Sequence, residues 1–251
     1  MGVKDRDLET LWTTAGEPGP AFDPATIASL PEAAGRYFSH AIEAGTPLAS
    51  AVRLTMHGTI RLKDSWDPFE AEQVLRVHRG FVWRATIRMH GIPVSGSDRW
   101  VDGAARVRWK LLGIVPVANE SGPEIARSAA GRASIEGVLL PPALLAESLG
   151  WEAAGEGRTA ARVRVGDEVS RIELAVESDG TLREASMLRW GTPDGVGTPS
   201  RQEPFGCVVE AERAFDGITI PTQLRVGWYI GSDRFEEGEF FRASIDEARF
   251  R

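Results

Sequence analysis

The sequence predicts an α+β fold: a strongly curved antiparallel sheet, or half-barrel, with a helical plug or lid and an N-terminal helical segment. Three observations predict it. From Ala51 onward, apolar and polar residues alternate in stretch after stretch, the period of strands with one buried face. Asp102-Gly103, Asp179-Gly180 and Asp216-Gly217 separate neighbouring stretches, and Asp-Gly is a favoured hairpin pair. The alternation is interrupted once, near the middle, by a helix-like segment. The dry face is rich in tryptophan and has few segments to cover it, so an apolar concavity is expected.

Residues 1–22 read as an N-terminal arm, and 23–251 as one half-barrel domain with a helical insert at about 121–145. In the arm, Leu8, Leu11 and Trp12 form one amphipathic turn, broken by Glu17-Pro18-Gly19-Pro20. Asp23-Pro24 starts a helix, with Asp as N-cap and Pro at the first helical position. Pro31 opens a second helix, with Ala34, Tyr37, Phe38 and Ala41 on one face, and Gly45-Thr46-Pro47 stops it.

The first strand sets Val52, Leu54, Met56, Ile60 and Leu62 against Arg53, Thr55, His57, Thr59 and Arg61. Further strands are expected from Phe69 to His78, Gly80 to Met89, Val94 to Val101 and Ala105 to Leu111. Alternation ends near Gly113. Ser121-Gly122-Pro123-Glu124 opens a helix that runs to Glu136, and Pro141-Pro142 splits the leucines that follow. Strand patterns resume at 149–154, 158–165, 169–177, 181–190, 205–215, 218–230 and 235–250, with a long loop at 191–204.

Composition narrows the function. The chain has 251 residues, 42% of them hydrophobic, and a formal net charge of −7. That length and composition suit a folded protein with a real core, and the charge argues against nucleic acid as a partner. The single cysteine, Cys207, excludes a disulfide framework and a cysteine zinc cluster. It is in phase with Phe205 and Val209, so it reads as a small buried hydrophobe. Met1 to Asp7 is charged with no apolar run behind it, so a cytoplasmic protein without a secretory signal is expected. The longest apolar stretch, Gly137 to Ala146, is broken by prolines and too short to span a bilayer.

Several motifs together resemble a known bacterial family. They are Gly80-Phe81-Val82-Trp83-Arg84-Ala85, Asp98-Arg99-Trp100-Val101-Asp102-Gly103, Leu111-Leu112-Gly113-Ile114-Val115-Pro116-Val117, Ser121-Gly122-Pro123-Glu124, Leu140-Pro141-Pro142-Ala143-Leu144-Leu145 and Phe215-Asp216-Gly217-Ile218-Thr219-Ile220-Pro221-Thr222. Their order and spacing are similar to those of a family of soluble proteins classed as a domain of unknown function, over roughly Leu30 to the C-terminus. The last motif, followed by two long strands, is also similar in topology to the outer-membrane lipoprotein-carrier half-barrels. That resemblance implies a curved sheet around a helical plug with a lipid-accommodating hollow. Those carriers are exported, whereas no export signal is expected here, so their lipoprotein substrate is not carried over. Neither resemblance brings catalytic residues.

No catalytic residue, metal site or cofactor is expected. His40, His57, His78 and His90 are scattered, without metal-ligand spacing. There is no Gly-x-Ser-x-Gly elbow near Ser95, Ser97 and Asp98, and no Gly-rich phosphate loop. Phe81, Trp83, Ile87, Trp100, Trp109, Leu224 and Trp228 fall in phase with the apolar faces of their strands and are expected to wall the hollow. Asp98 shares that face; a carboxylate there must be paired, hydrogen-bonded or protonated. With Asp98 as the sole ionisable wall residue, a neutral or cationic amphiphile is the expected ligand. On the opposite face, Arg84, Arg88, Arg99, Arg106, Arg108 and Lys110 form a basic stripe. It reads as a solvated face or as a peripheral contact with an anionic lipid surface. Three functions compete: non-catalytic binding of a hydrophobic or amphipathic small molecule, an enzyme with an atypical site around Asp98, and a protein-interaction module using a sheet edge.

Overall fold

A computed structural model describes residues 6–62, 65–195 and 197–251. Met1–Asp5 of the expected arm, Lys63, Asp64 and one residue of the 191–204 loop lie outside them. The sheet has 13 strands: β1 (Val52–Leu62), β2 (Ser65–Arg76), β3 (Gly80–Met89), β4 (Ile92–Val101), β5 (Ala104–Leu111), β6 (Val115–Ser121), β7 (Ser148–Ala153), β8 (Arg158–Val165), β9 (Glu168–Val176), β10 (Leu182–Gly191), β11 (Arg201–Phe215), β12 (Ile218–Trp228) and β13 (Glu239–Phe250). Every pairing is antiparallel. The order is β6-β5-β4-β3-β2-β1-β13-β12-β11-β10-β9-β8-β7. The two halves are meanders joined at the β1–β13 seam, and β6 and β7 are the edges.

This order explains the plug. The chain leaves the sheet at the β6 edge and must re-enter at the opposite edge, β7. It crosses through α3 (Pro123–Ile135), a 3₁₀ turn (Glu136–Leu139) and α4 (Pro141–Glu147). At 1.5 Å per residue, α3 spans about 20 Å, enough to bridge the flanks. It rests on β3, β4, β5 and β6 on one side and on β8, β9 and β10 on the other. Leu140, Ala143 and Leu144 are buried in the same core as Leu54, Trp83, Leu174 and Ile220. The fold is therefore α+β, a curved half-barrel with a helical plug.

The proline pair begins a helix rather than only splitting the segment. Pro141 and Pro142 occupy the first turn of α4, where a missing N–H costs nothing. The helices expected in the arm and after Pro31 form, whereas Asp23-Pro24 opens only a 3₁₀ turn, Pro24–Ile27, with Asp23 as its N-cap. In α1 (Arg6–Thr13), Leu8 and Leu11 are buried against Val74 and Val82, with Trp12 packed beside them. Val74 and Val82 lie on the convex side, so this part of the outer face is covered rather than solvated. In α2 (Glu32–Ala41), Ala34, Tyr37, Phe38 and Ala41 are buried, and Phe38 meets Trp151 edge-on at 5.1 Å.

Several boundaries differ from the sequence reading. β6 occupies residues where no strand is expected; Pro116 is tolerated there because β6 is an edge and need not donate to a further strand. β2 begins at Ser65, four residues early, and passes through Pro68. β11 begins at Arg201, so the preceding loop is shorter than expected. Phe235–Gly238 is a helical turn, α5, and not the start of β13. Asp102-Gly103 and Asp216-Gly217 both have positive φ at both positions, as a type I′ turn requires. Asp179-Gly180 instead sits in a wider turn, where Asp179 Oδ1 accepts from the Thr181 N–H at 3.0 Å.

Candidate ligand-binding site

Most of the concavity is filled by the helical segment, and what remains is a cavity of about 230 Å³. That is below the roughly 300–1,000 Å³ typical of ligand pockets. A volume of that size is closer to that of one alkyl chain than of two. Its apolar wall includes Met56, Ile60, Leu224, Val226, Phe241 and Ile245 from β1, β12 and β13, with Ile135, Val138 and Leu139 from the plug. These strand residues share the concave face because the period of two places them there.

Of the eight wall residues expected from sequence, the cavity brings together Trp83, Asp98 and Leu224. Phe81, Ile87 and Trp100 are buried in the core. Trp109 stands behind Asp98. Trp228 is buried against Phe205, with ring centroids 5.0 Å apart. The expected common face is real: Trp83 and Trp109 lie with centroids 5.7 Å apart. The difference is depth, since the plug packs over much of that face and leaves only part of it open.

One end of the cavity is polar. Register places Gln73, Trp83 and Asp98 side by side across β2, β3 and β4. Asp98 accepts from Trp109 Nε1 at 2.8 Å. Gly96 makes this possible: Trp109 is its partner across the ladder, and a Cβ there would lie 2.6 Å from Trp109 Cδ2. From α3, Arg132 reaches Asp98 Oδ2 at 3.6 Å and donates to Glu136 Oε1 at 2.5 Å. Gln73 Nε2 donates to Glu136 Oε2 at 2.7 Å. The Arg132 guanidinium also lies over the Phe81 ring at 4.4 Å. From β10, Arg189 completes the polar end.

Asp98 is thus not the sole ionisable group on the wall; Arg132, Glu136 and Arg189 join it. Arg189 had a signal in the sequence, being in phase with the buried Ala185 and Met187. Arg132 and Glu136 form an i,i+4 pair, which from sequence alone looks like any exposed helix pair.

Burial raises the Asp98 carboxyl above the usual range, and Arg132 and the Trp109 hydrogen bond offset this only in part. Burial pushes the Cys207 thiol on the same wall up to about 12, so it is uncharged at neutral pH. The Asp98 shift has a sign. A carboxyl raised in the folded state favours folding in its neutral form, and that contribution is lost as pH rises through the folded value. Asp98→Asn keeps the acceptor for Trp109 and removes the charge. It is expected to be at least as stable as the parent at pH ~7, with any gain vanishing near pH ~4, within the ordinary carboxylate range. Urea unfolding at both pH values checks this. A variant less stable by more than about 1 kcal/mol at neutral pH would mean that the Arg132 ion pair outweighs desolvation.

Among the described residues, no group of three or more His, Cys, Asp or Glu side chains is placed to hold a metal ion, and no helix is long and apolar enough to cross a membrane.

Comparison with solved structures gives fold neighbours of low identity. A LolA superfamily protein from Nitrosomonas europaea is 11% identical, with a TM-score of 0.44, over 87% of this chain and 92% of that one. A DUF1329 family protein from Desulfovibrio piger is 14% identical, with a TM-score of 0.47, over 91% and 94%. An outer membrane lipoprotein-sorting protein domain from Vibrio parahaemolyticus is 8% identical, with a TM-score of 0.43, over 80% and 86%. No curated protein matches the sequence. A family model matches residues 28–250, nearly the whole span over which the sequence motifs resemble a domain of unknown function. The chain belongs to that family, the family of unknown function DUF6920.

Proposed function

We propose that the protein binds a hydrophobic or amphipathic small molecule without converting it, in the cavity between the plug and strands β1, β11, β12 and β13. The observation that carries this reading is the division of the cavity wall. Aliphatic and aromatic side chains line most of it, and the charged and amide groups gather at one end. A chain buried along the apolar wall gains about 0.8 kcal/mol per methylene. The test is a titration of delipidated protein with a fluorescent fatty-acid analogue, in competition with unlabelled amphiphiles and with polar metabolites of similar length. Displacement by amphiphiles alone is expected. Tight binding of the polar compounds without the amphiphiles would replace this reading with an enzyme acting around Asp98.

A peripheral contact with an anionic bilayer belongs to the same proposal, but on a narrower surface than the whole basic stripe. Arg99 is paired with Asp7 on α1, Arg84 with Glu72 at 3.1 Å, and Arg106 with Asn119 Oδ1 at 3.1 Å. The β5–β6 hairpin instead presents Leu112, Ile114, Val115 and Val117, all more than half exposed. Leu112 N–H bonds Pro93 O at 2.9 Å, which joins this tip to the β3–β4 hairpin. Arg88 and Lys110 flank the joined tips in register. An aliphatic tip with a basic collar suits an anionic surface. Ile114→Asp with Val117→Asp is expected to lower co-sedimentation with phosphatidylserine vesicles at least several-fold, with no loss of thermal stability. Unchanged sedimentation of the double variant would count against the contact. Capture of a protein partner through β6 instead would favour the interaction-module reading.

A further inference from the structure

We infer that the molecule held in this cavity is a single-chain amphiphile with a carboxylate head, and that Arg189 receives that head. The inference rests on the proposed binding function and adds the chemical class of the ligand. It follows from how the four charged groups at the polar end are partnered. Arg132 has Glu136 at 2.5 Å and Asp98 at 3.6 Å. Glu136 also accepts from Gln73, and Asp98 from Trp109. Arg189 alone of the four has no carboxylate within ion-pair distance among the described residues.

Arg189 is nonetheless held in place. Its Nε donates to Ser128 O at 3.1 Å and its Nη2 to Ser128 Oγ at 3.3 Å. The guanidinium stacks over Phe205 at 4.4 Å and lies 5.5 Å from the Trp228 ring centroid. Its stem passes Gly131 of α3, where a Cβ would stand 3.4 Å from Arg189 Cγ, in ordinary contact. A guanidinium has five N–H donors in a planar fork. Two are spent on Ser128, and those that remain include both donors of Nη1. A planar carboxylate fits such an edge with two parallel bonds. Burial and, after it, repulsion from Arg132 pull the Arg189 guanidinium down to about 9. It remains a cation at neutral pH, in a setting that an anion would relieve. Trp83 lines the same cavity, and its buried indole N–H has no acceptor among the described residues.

The charge of the wall therefore reverses the expectation drawn from Asp98 alone. Asp98 and Glu136 are already occupied by Arg132 and by neutral donors. The positive group without a counter-ion is the one that selects the head.

Calorimetric titration of the delipidated protein with dodecanoate, dodecanol and dodecylamine, each below its micellar concentration, tests this. Dodecanoate is expected to bind roughly tenfold tighter than dodecanol, the scale of one charge-assisted contact, and dodecylamine weakest. Arg189→Gln keeps a polar group near Ser128 and is expected to abolish the preference, weakening dodecanoate far more than dodecanol. Arg189→Lys retains the charge and should restore part of the preference, which separates the role of charge from that of packing. Equal affinities for the three probes, or a carboxylate preference that survives Arg189→Gln, would overturn the assignment of the head while leaving the cavity as a binding site. Failure of all three probes to bind would remove the binding reading itself.

Discussion

Leu144→Ala is expected to destabilise the protein by about 3–4 kcal/mol, within the range measured for buried leucines that leave a cavity. Leu144 has no exposed surface. It sits on the short helix that completes the crossing from one sheet edge to the other, where its Cδ1 lies 3.1 Å from where a Cβ on Gly137 would stand. The helical segment pays for its ordering by burying residues such as this one, so the loss should appear as a lower urea midpoint with an unchanged slope. A loss under about 1 kcal/mol would show that α4 collapses into the space, and that the plug is less firmly packed than its burial indicates.

Arg132→Met is expected to cost about 2–3 kcal/mol at neutral pH. The substitution leaves Glu136 and Asp98 on the cavity wall without a cation in contact. Removing one partner of a buried pair costs about 3–5 kcal/mol; the figure is lower here because roughly a fifth of each of the Arg132 and Glu136 side chains is exposed. Contact with the Phe81 and Trp83 rings is lost as well. The deficit should shrink on acidification, because neutral carboxyls need no counter-ion. A deficit independent of pH would assign the role of Arg132 to packing rather than to charge.

The sheet was legible because strand periodicity is local. Each inward residue from Val52 to Leu111 can be named from its neighbours two positions away, and the Asp102-Gly103 pair marks its own turn. β6 was hidden because Pro116 reads as a break, and only its position at an edge, which depends on the whole topology, makes it harmless. The site was half legible. Trp83, Asp98 and Leu224 announce themselves by phase. The depth of Phe81, Ile87, Trp100 and Trp228 depends on where the plug lies, and a plug crossing between edges is a long-range outcome. Arg132 and Glu136 meet Asp98 only because α3 spans the flanks. Arg189 carried the same phase signal as the tryptophans.

A co-crystal structure with a chain-terminally brominated dodecanoate shows whether the cavity holds an amphiphile. Anomalous density for bromine is expected between Leu224 of β12, Phe241 and Ile245 of β13 and Leu139 of the plug, with the carboxylate toward Arg189. Bromine on the outer face or at the β5–β6 hairpin, with the cavity wall unchanged at saturating ligand, would contradict binding in the cavity.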